Sequence, residues 1–335
     1  MRLNKYKHVL QFLVSFILLV VLFQLIDLNQ ARELIKNVSF GYVGVVYGVY
    51  LFDRAFMAWK WNFLLNILSI RFRFIDAFKV YYISNFLGFS IPFGVGPDLI
   101  RFWKIKEYGL AGEDAMSSIV VERFLGLVAT GLMVLLSISL FLLYVTDAHL
   151  KLRFVFILSA LASGLGVILF LVFHDRLRDR MLHISRLERL FDRIKLGNYY
   201  RAFSRYKYHK LTLVQFTVLS FFEQLMPVLA VFYAAKALGI SLTFYQTLAF
   251  VPLSILVERL PISYLGIGVR EGSYVLLLRF MGVAPTNAFL LSIFMFILDI
   301  LSMLPAAVWS VVDSLDKSRR QVPEKEKESE LERVN

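Results

Sequence analysis

The sequence predicts an all-α polytopic membrane protein with about six full spans, two re-entrant broken-helix hairpins and a thinly matched inverted repeat relating the hairpins. Three observations carry this expectation. Of the 335 residues 58% are hydrophobic, with 32 Phe, an excess that ordinary soluble domains do not carry. Apolar runs long enough to cross about 30 Å of hydrocarbon recur from end to end. Two of these runs break into glycine and proline beside charged residues. The first break is Pro92-Phe93-Gly94-Val95-Gly96-Pro97-Asp98-Leu99-Ile100-Arg101. The second is Arg259-Leu260-Pro261, followed by Gly266-Ile267-Gly268-Val269-Arg270-Glu271. Backbone polar groups cannot stay unpaired in lipid, so such breaks at membrane depth line protein or a water-filled cavity. A pair of them in corresponding halves points to a transport site near the midplane.

Taken in order, Arg2, Lys5 and Lys7 precede an apolar run from about Val9 to Leu28. It is too long, and lacks a small-residue cleavage site, for a removable signal, and reads as a retained first span. A charge-balanced loop with Asp27, Arg32, Glu33 and Lys36 leads to a second span, about Ser39 to Leu65, with Asp53 and Arg54 inside it. The next loop is read as carrying Lys60, Arg71, Arg73 and Lys79 against Asp76, a bias that places it in the cytoplasm. From Phe78 the chain runs apolar but short into the first break. It returns through Arg101, Lys104, Lys106, Glu107, Glu113 and Asp114, a re-entrant hairpin opening on the cytoplasmic side.

A third span, about Ala115 to Val145, carries Glu122-Arg123, and a fourth runs from about Leu152 to Phe173. Residues 174–210 hold eleven Lys/Arg against four Asp/Glu, with apolar positions at helical spacing. That pattern predicts a basic amphipathic helix on the cytoplasmic leaflet. A fifth span, about Leu211 to Ala235, contains Glu223. The second hairpin then runs from Leu242 through its break to Met281, entered from the outside. The last span, about Thr286 to Val312, contains Asp299. Residues 1–313 thus read as one integral domain and 314–335 as a disordered cytoplasmic tail. Both termini are expected in the cytoplasm, and the protein in the cytoplasmic (inner) membrane.

The formal charge of +12 would raise nucleic acid as a partner of a soluble protein. Here the basic residues cluster between apolar spans, so the positive-inside bias and anionic headgroups explain them, and no nucleic acid is expected. With no cysteine, thiolate nucleophiles and disulfides are excluded. His8, His149, His174, His183 and His209 have no metal-ligand spacing, so neither a metal nor another cofactor is expected. Gly-x-Gly follows no strand, as a dinucleotide site would require, and no catalytic motif is visible.

Ionisable groups inside a span cost roughly 2.5–3.5 kcal/mol on insertion scales and persist when they pair or face a cavity. The candidates for substrate binding are Asp98, Arg101, Glu122, Arg123, Glu258, Arg259, Arg270 and Glu271. Guanidinium groups beside broken-helix ends suit a phosphate, through forked hydrogen bonds and exposed helix N-termini. Pro92, Gly94, Gly96, Pro261, Gly266 and Gly268 are the loop-shaping residues. The bland alternative stays open: Glu122 and Glu258 serve ion pairs between helices, and the glycines allow close packing. Asp53, Arg54, Glu223 and Asp299 are weaker candidates, since each lacks a backbone break; Asp53-Arg54 can pair with a neighbouring span.

Asn85 with the first break, then Val121-Glu122-Arg123-Phe124-Leu125-Gly126-Leu127, resembles the transmembrane (flippase) region of the lysylphosphatidylglycerol synthase family. The Pro261…Gly266-Ile267-Gly268-Val269-Arg270-Glu271 stretch resembles its second signature, and the likeness covers about residues 5–315. The resemblance implies a fold with re-entrant helices and a role in moving lipids between leaflets. It also implies that Asp98, Arg101, Glu122, Arg123, Arg270 and Glu271 are the functional set. Gly96-Pro97-Asp98 stands where the family often has Gly-Gly-Asp. The chain resembles a stand-alone member without the aminoacyl-transferase domain and is not expected to synthesise the aminoacylated lipid itself.

The expected function is movement of an anionic or aminoacylated phospholipid, or an isoprenoid-linked lipid, between leaflets. Its expected partners are membrane lipids with anionic headgroups. One alternative is a non-transporting partner subunit of a glycosyltransferase or lipid-modifying enzyme. Another is a membrane enzyme acting on a polyprenyl phosphate.

Overall fold

The computed structural model describes residues 2–313 apart from 25, 69, 71, 90, 92–94, 109–111, 174–205, 207–208 and 261. Pro92, Gly94, Pro261, the basic amphipathic segment over 174–205 and the tail over 314–335 therefore lie outside the described residues. Helices are the only regular structure among the described residues, as suits a chain that must satisfy its backbone within each segment in lipid.

Helix α1 (Arg2–Phe23) gives way to α2 (Leu28–Lys36) through a bend of 91°. The apolar run expected to reach Leu28 stops early because Asp27 caps the new helix. Its carboxylate accepts the backbone N–H groups of Asn29 and Gln30 at 2.9 and 3.2 Å. The loop expected after the first span is thus an amphipathic helix. α3 (Phe40–Ile67) continues past Leu65. This corrects the reading of Lys60 as a loop charge: it lies inside the helix and is buried.

α4 (Phe74–Gly88) and α5 (Gly96–Glu107) have 15 and 12 residues. At 1.5 Å per residue they are about 22 and 18 Å long, each short of the roughly 30 Å hydrocarbon core. They fold back on one another as a hairpin. A Cβ on Gly88 would land on the Pro97 backbone, and one on Gly96 on the Gly88 carbonyl. Only glycine permits that approach.

α6 (Gly112–Phe141) and α7 (Ala148–Phe173) follow, then α8 (Lys210–Glu223) and α9 (Leu225–Ala237), nearly continuous at Gln224. α10 (Phe244–Glu258) opens with Thr243 and Gln246 capping each other's backbone N–H groups at 3.2 and 2.9 Å. A 3₁₀ turn (Tyr264–Gly266) joins it to α11 (Val269–Arg279). α12 (Pro285–Ser302) leads to α13, residues 304–313. Pro305, which has no N–H to extend the ladder, accounts for the interruption at Met303.

Among the described residues four segments are long and apolar enough to cross a membrane: Asp114–Phe141, Ala148–Val167, Lys210–Ala237 and Pro285–Asp313. The bent α1–α2 pair adds a fifth if counted as one span. α3 has the length, at 28 residues, but Asp53, Arg54 and Lys60 lower its hydropathy. α6 is half buried along its span, whereas α7 is only 6% buried, so α6 runs through the middle of the bundle and α7 along its edge.

The two ends of the bundle are set by specific contacts. At one end Ser39 N–H donates to Ala237 O at 2.9 Å, and Asp27 N–H to Thr286 Oγ1 at 3.0 Å. At the other, Asp313 takes Lys79 of α4 and Lys104 of α5 at 2.7 and 3.1 Å. The α4–α5 hairpin opens toward Asp313. α10 begins, and α11 ends, within a short loop of the Ala237 and Thr286 end. The two hairpins open at opposite ends.

Candidate functional site

Pro97 and Asp98 in the first turn of α5 start a helix whose sixth residue, Arg101, points into the bundle. Arg101 is only 3% exposed. Its Nη2 lies 2.7 Å from Glu122 Oε2 of α6 and 3.1 Å from Asp98 Oδ1. Its guanidinium carbon sits 4.8 Å from the Trp61 ring centre and 4.7 Å from that of Tyr81, a double cation–π contact. The Tyr81 hydroxyl donates to Glu122 Oε1 at 3.3 Å, and the Trp61 indole N–H to Ser118 Oγ at 3.1 Å. Arg123, next along α6 and exposed, pairs with the other oxygen of Asp98. Nε and Nη1 of Arg101 are buried with no hydrogen-bond partner among the described residues. They are two donors available to an acceptor.

The second break is shaped by positive φ at Leu265 (52°), Gly266 (74°) and Gly268 (86°). A Cβ on Gly266 would lie 2.6 Å from Glu258 Cγ, and one on Gly268 2.8 Å from Leu18 Cβ of α1. α1 further fixes the turn through Ser15 Oγ, which accepts Tyr264 N–H at 3.0 Å. Glu271 is fully buried and has two tasks. Its Oε2 accepts Gly268 N–H at 2.6 Å and starts α11, while Oε1 accepts Arg270 Nη2 at 2.5 Å and Nε at 3.1 Å. Arg270 Nη1 lies 3.8 Å from Glu258 Oε1. Its guanidinium covers Phe296 of α12 at 4.3 Å, and Nε also reaches Ser292 Oγ at 3.4 Å.

The two sites share a plan that the chain order conceals. In each, an arginine following a glycine break is buried between a carboxylate of its own helix and the glutamate of a Val-Glu-Arg triplet. Those pairs are Asp98 with Glu122, and Glu271 with Glu258. The arginine of each triplet, Arg123 or Arg259, is the exposed one. α6 touches both sites: two turns beyond Arg123, Thr130 Oγ1 accepts Gln224 Nε2 at 3.1 Å and Arg259 Nη1 at 3.4 Å. Phe89, at the inner end of the first hairpin, lies 6.4 Å from the Phe296 ring that carries Arg270.

The weaker candidates form a third group along α3. Arg54 bonds Asp299 of α12 at 3.0 Å, with Asp53 at 3.8 Å. Lys60 pairs with Glu223 of α8 and donates to Ser220 Oγ at 2.9 Å. Sequence reasoning missed Lys60, Trp61, Tyr81, Thr130 and Phe296. Lys60 carried a usable signal, since it fell within the span drawn to Leu65. The aromatic partners carried none, because nothing separates them from the many other rings of the bundle.

Long apolar helices around buried ion pairs, with backbone breaks inside the bundle, define a multi-pass helical membrane protein built to hold charge within its interior. The chain belongs to the lysylphosphatidylglycerol synthase transmembrane region family, whose model matches residues 8–306, nearly its whole length. This ties it to lipid metabolism in membranes. A comparison with curated proteins finds no match.

Proposed function

We propose that the protein carries a phosphate-bearing lipid across the cytoplasmic membrane, its headgroup held between the two broken hairpins. The observation that carries this reading is Arg101: a buried guanidinium, fixed by two carboxylates and two rings, with two donors unused. Nε and Nη1 lie on the two edges that meet at Nη2, so a phosphate makes its planar fork with either of them together with Nη2, displacing a carboxylate from it. Arg270 offers a second cation, joined to the first hairpin through Phe296 and Phe89.

In this reading α1, α3, α6, α7, α8–α9 and α12–α13 are six crossings, and the hairpins are re-entrant from opposite faces as an inverted repeat. The shared plan of the two arginine sites supports the repeat better than the residue spacing does. Both termini lie in the cytoplasm, as the basic residues near Asp313 favour. The hairpins act as carriers rather than catalysts, and each site binds the headgroup by exchanging an arginine–carboxylate contact for an arginine–phosphate one.

The test is lipid transfer by the purified protein in liposomes. A fluorescent anionic phospholipid and a polyprenyl phosphate serve as separate probes. Transfer of one probe above the protein-free rate supports the reading and names the lipid class. Failure of both, with folded protein, contradicts it.

A further inference from the structure

Among the described residues the intramembrane charges fall into three groups, and two of them are balanced. Each hairpin site has two arginines and two carboxylates. The group on α3 is not balanced: Arg54 and Lys60 face Asp53, Glu223 and Asp299. Arg54 bonds Asp299 at 3.0 Å, and Lys60 is taken by Glu223 and Ser220. Asp53 is the carboxylate left over. Its nearest cation is Arg54 Nη1 at 3.8 Å, and its side chain is 14% exposed. It accepts no hydrogen bond among the described residues.

The other helices packed on α3 offer no second cation to Asp53. α4 brings Tyr81, whose hydroxyl is turned to Glu122, and α6 brings Glu122, held by Arg101. α9 brings Lys236, near the start of α3 over the Tyr42 ring at 5.9 Å. α12 brings Asp299 and the Met295 carbonyl that accepts the Tyr50 hydroxyl at 3.5 Å, and α8 brings Glu223. A carboxylate short of partners in a low-dielectric interior is far more costly ionised than neutral.

We propose that Asp53 is a proton-binding site, and that proton binding and release there drive lipid movement at the hairpins. The coupling half rests on the lipid-transfer reading above. One proton adds to an Asp53 carboxylate oxygen and brings the α3 group to neutrality. On release the O–H bond breaks and the proton leaves to water.

The connection to the hairpins is contiguous. Asp53 and Asp299 share Arg54, so protonating Asp53 strengthens the hold of Arg54 on Asp299. One turn before Asp299, the same helix carries Phe296, which supports Arg270 and meets Phe89; Ser292 lies a turn further. Arg54, shared between the two carboxylates, therefore biases the face of α12 on which the second arginine rests.

The test uses the full chain reconstituted in liposomes and has two arms. In the first, infrared spectroscopy follows the carbonyl stretch of protonated carboxylic acid across pH, with no transport involved. The wild type should show a band that fades as the pH is raised and that Asp53→Asn removes. Asp299→Asn should remove it too, because Arg54 then turns to Asp53 and the group is neutral without a proton. A band unchanged in Asp53→Asn overturns the site. In the second arm, an imposed pH gradient should accelerate wild-type lipid transfer severalfold and leave Asp53→Asn, which still transfers, unaffected. Gradient dependence retained in Asp53→Asn overturns the coupling. No transfer by any of these proteins would count against the lipid-carrier reading alone, with the infrared arm still deciding whether Asp53 binds a proton.

Discussion

Replacing Arg101 by Ala removes the cation that holds Asp98 and Glu122 and the group lying between Trp61 and Tyr81. Glu122, 9% exposed, is left with the Tyr81 hydroxyl alone. Breaking a buried pair from one side costs about 3–5 kcal/mol, and each lost ring contact adds about 0.5–2 kcal/mol. Asp98 keeps Arg123, which offsets part of the loss, so we expect about 3–5 kcal/mol overall. Adding Glu122→Gln removes the stranded charge and should recover part of that, the emptied space between Trp61 and Tyr81 remaining as a cavity. Equilibrium unfolding in detergent reads the stability, and liposome transfer reads the function. The double variant should fold and yet move no lipid. An Arg101→Ala protein that unfolds with the wild type, or a double variant no more stable than the single one, would refute the buried-pair argument. Wild-type transfer by the double variant would refute the functional role.

Gly88→Ala should prevent the α4–α5 hairpin from closing, at a cost of at least about 1–3 kcal/mol for overpacking, read as loss of folded protein on size exclusion. Gly126→Ala, with open space at its Cβ, should instead gain about 0.5–1 kcal/mol in the same α-helical setting. Lys60→Met should destabilise by about 3–5 kcal/mol, and Lys60→Met with Glu223→Leu by far less; the double change keeps the α3 charge imbalance, so proton-dependent transfer should survive. Asp313→Asn frees Lys79 and Lys104 together. It should increase proteolytic cleavage within the first hairpin while leaving the second unchanged.

The breaks were legible because glycine and proline inside an apolar run leave few structural choices. Gly96, Gly266 and Gly268 occupy places where a Cβ would collide or the backbone needs positive φ. The buried arginines stood out because charge at membrane depth is costly. The pairing was not legible. Val-Glu-Arg follows one break and precedes the other, so only the packing of α6 against α5, and of α10 against α11, reveals that Glu122 and Glu258 do the same task. The bend at Asp27 and the interruption at Met303 were also missed. A hydropathy window averages over a cap and a proline, and it sees one span where the chain turns.

The most direct measurement is liposome transfer by Arg101→Lys and Arg270→Lys beside the wild type, with unfolding followed on the same preparations. Lysine keeps the charge against Glu122 and Glu271 but loses the planar fork and the ring stacking. The account predicts that both variants fold and that both fall to the protein-free rate. Wild-type transfer by either one would contradict the claim that the two buried guanidinium groups carry the lipid headgroup.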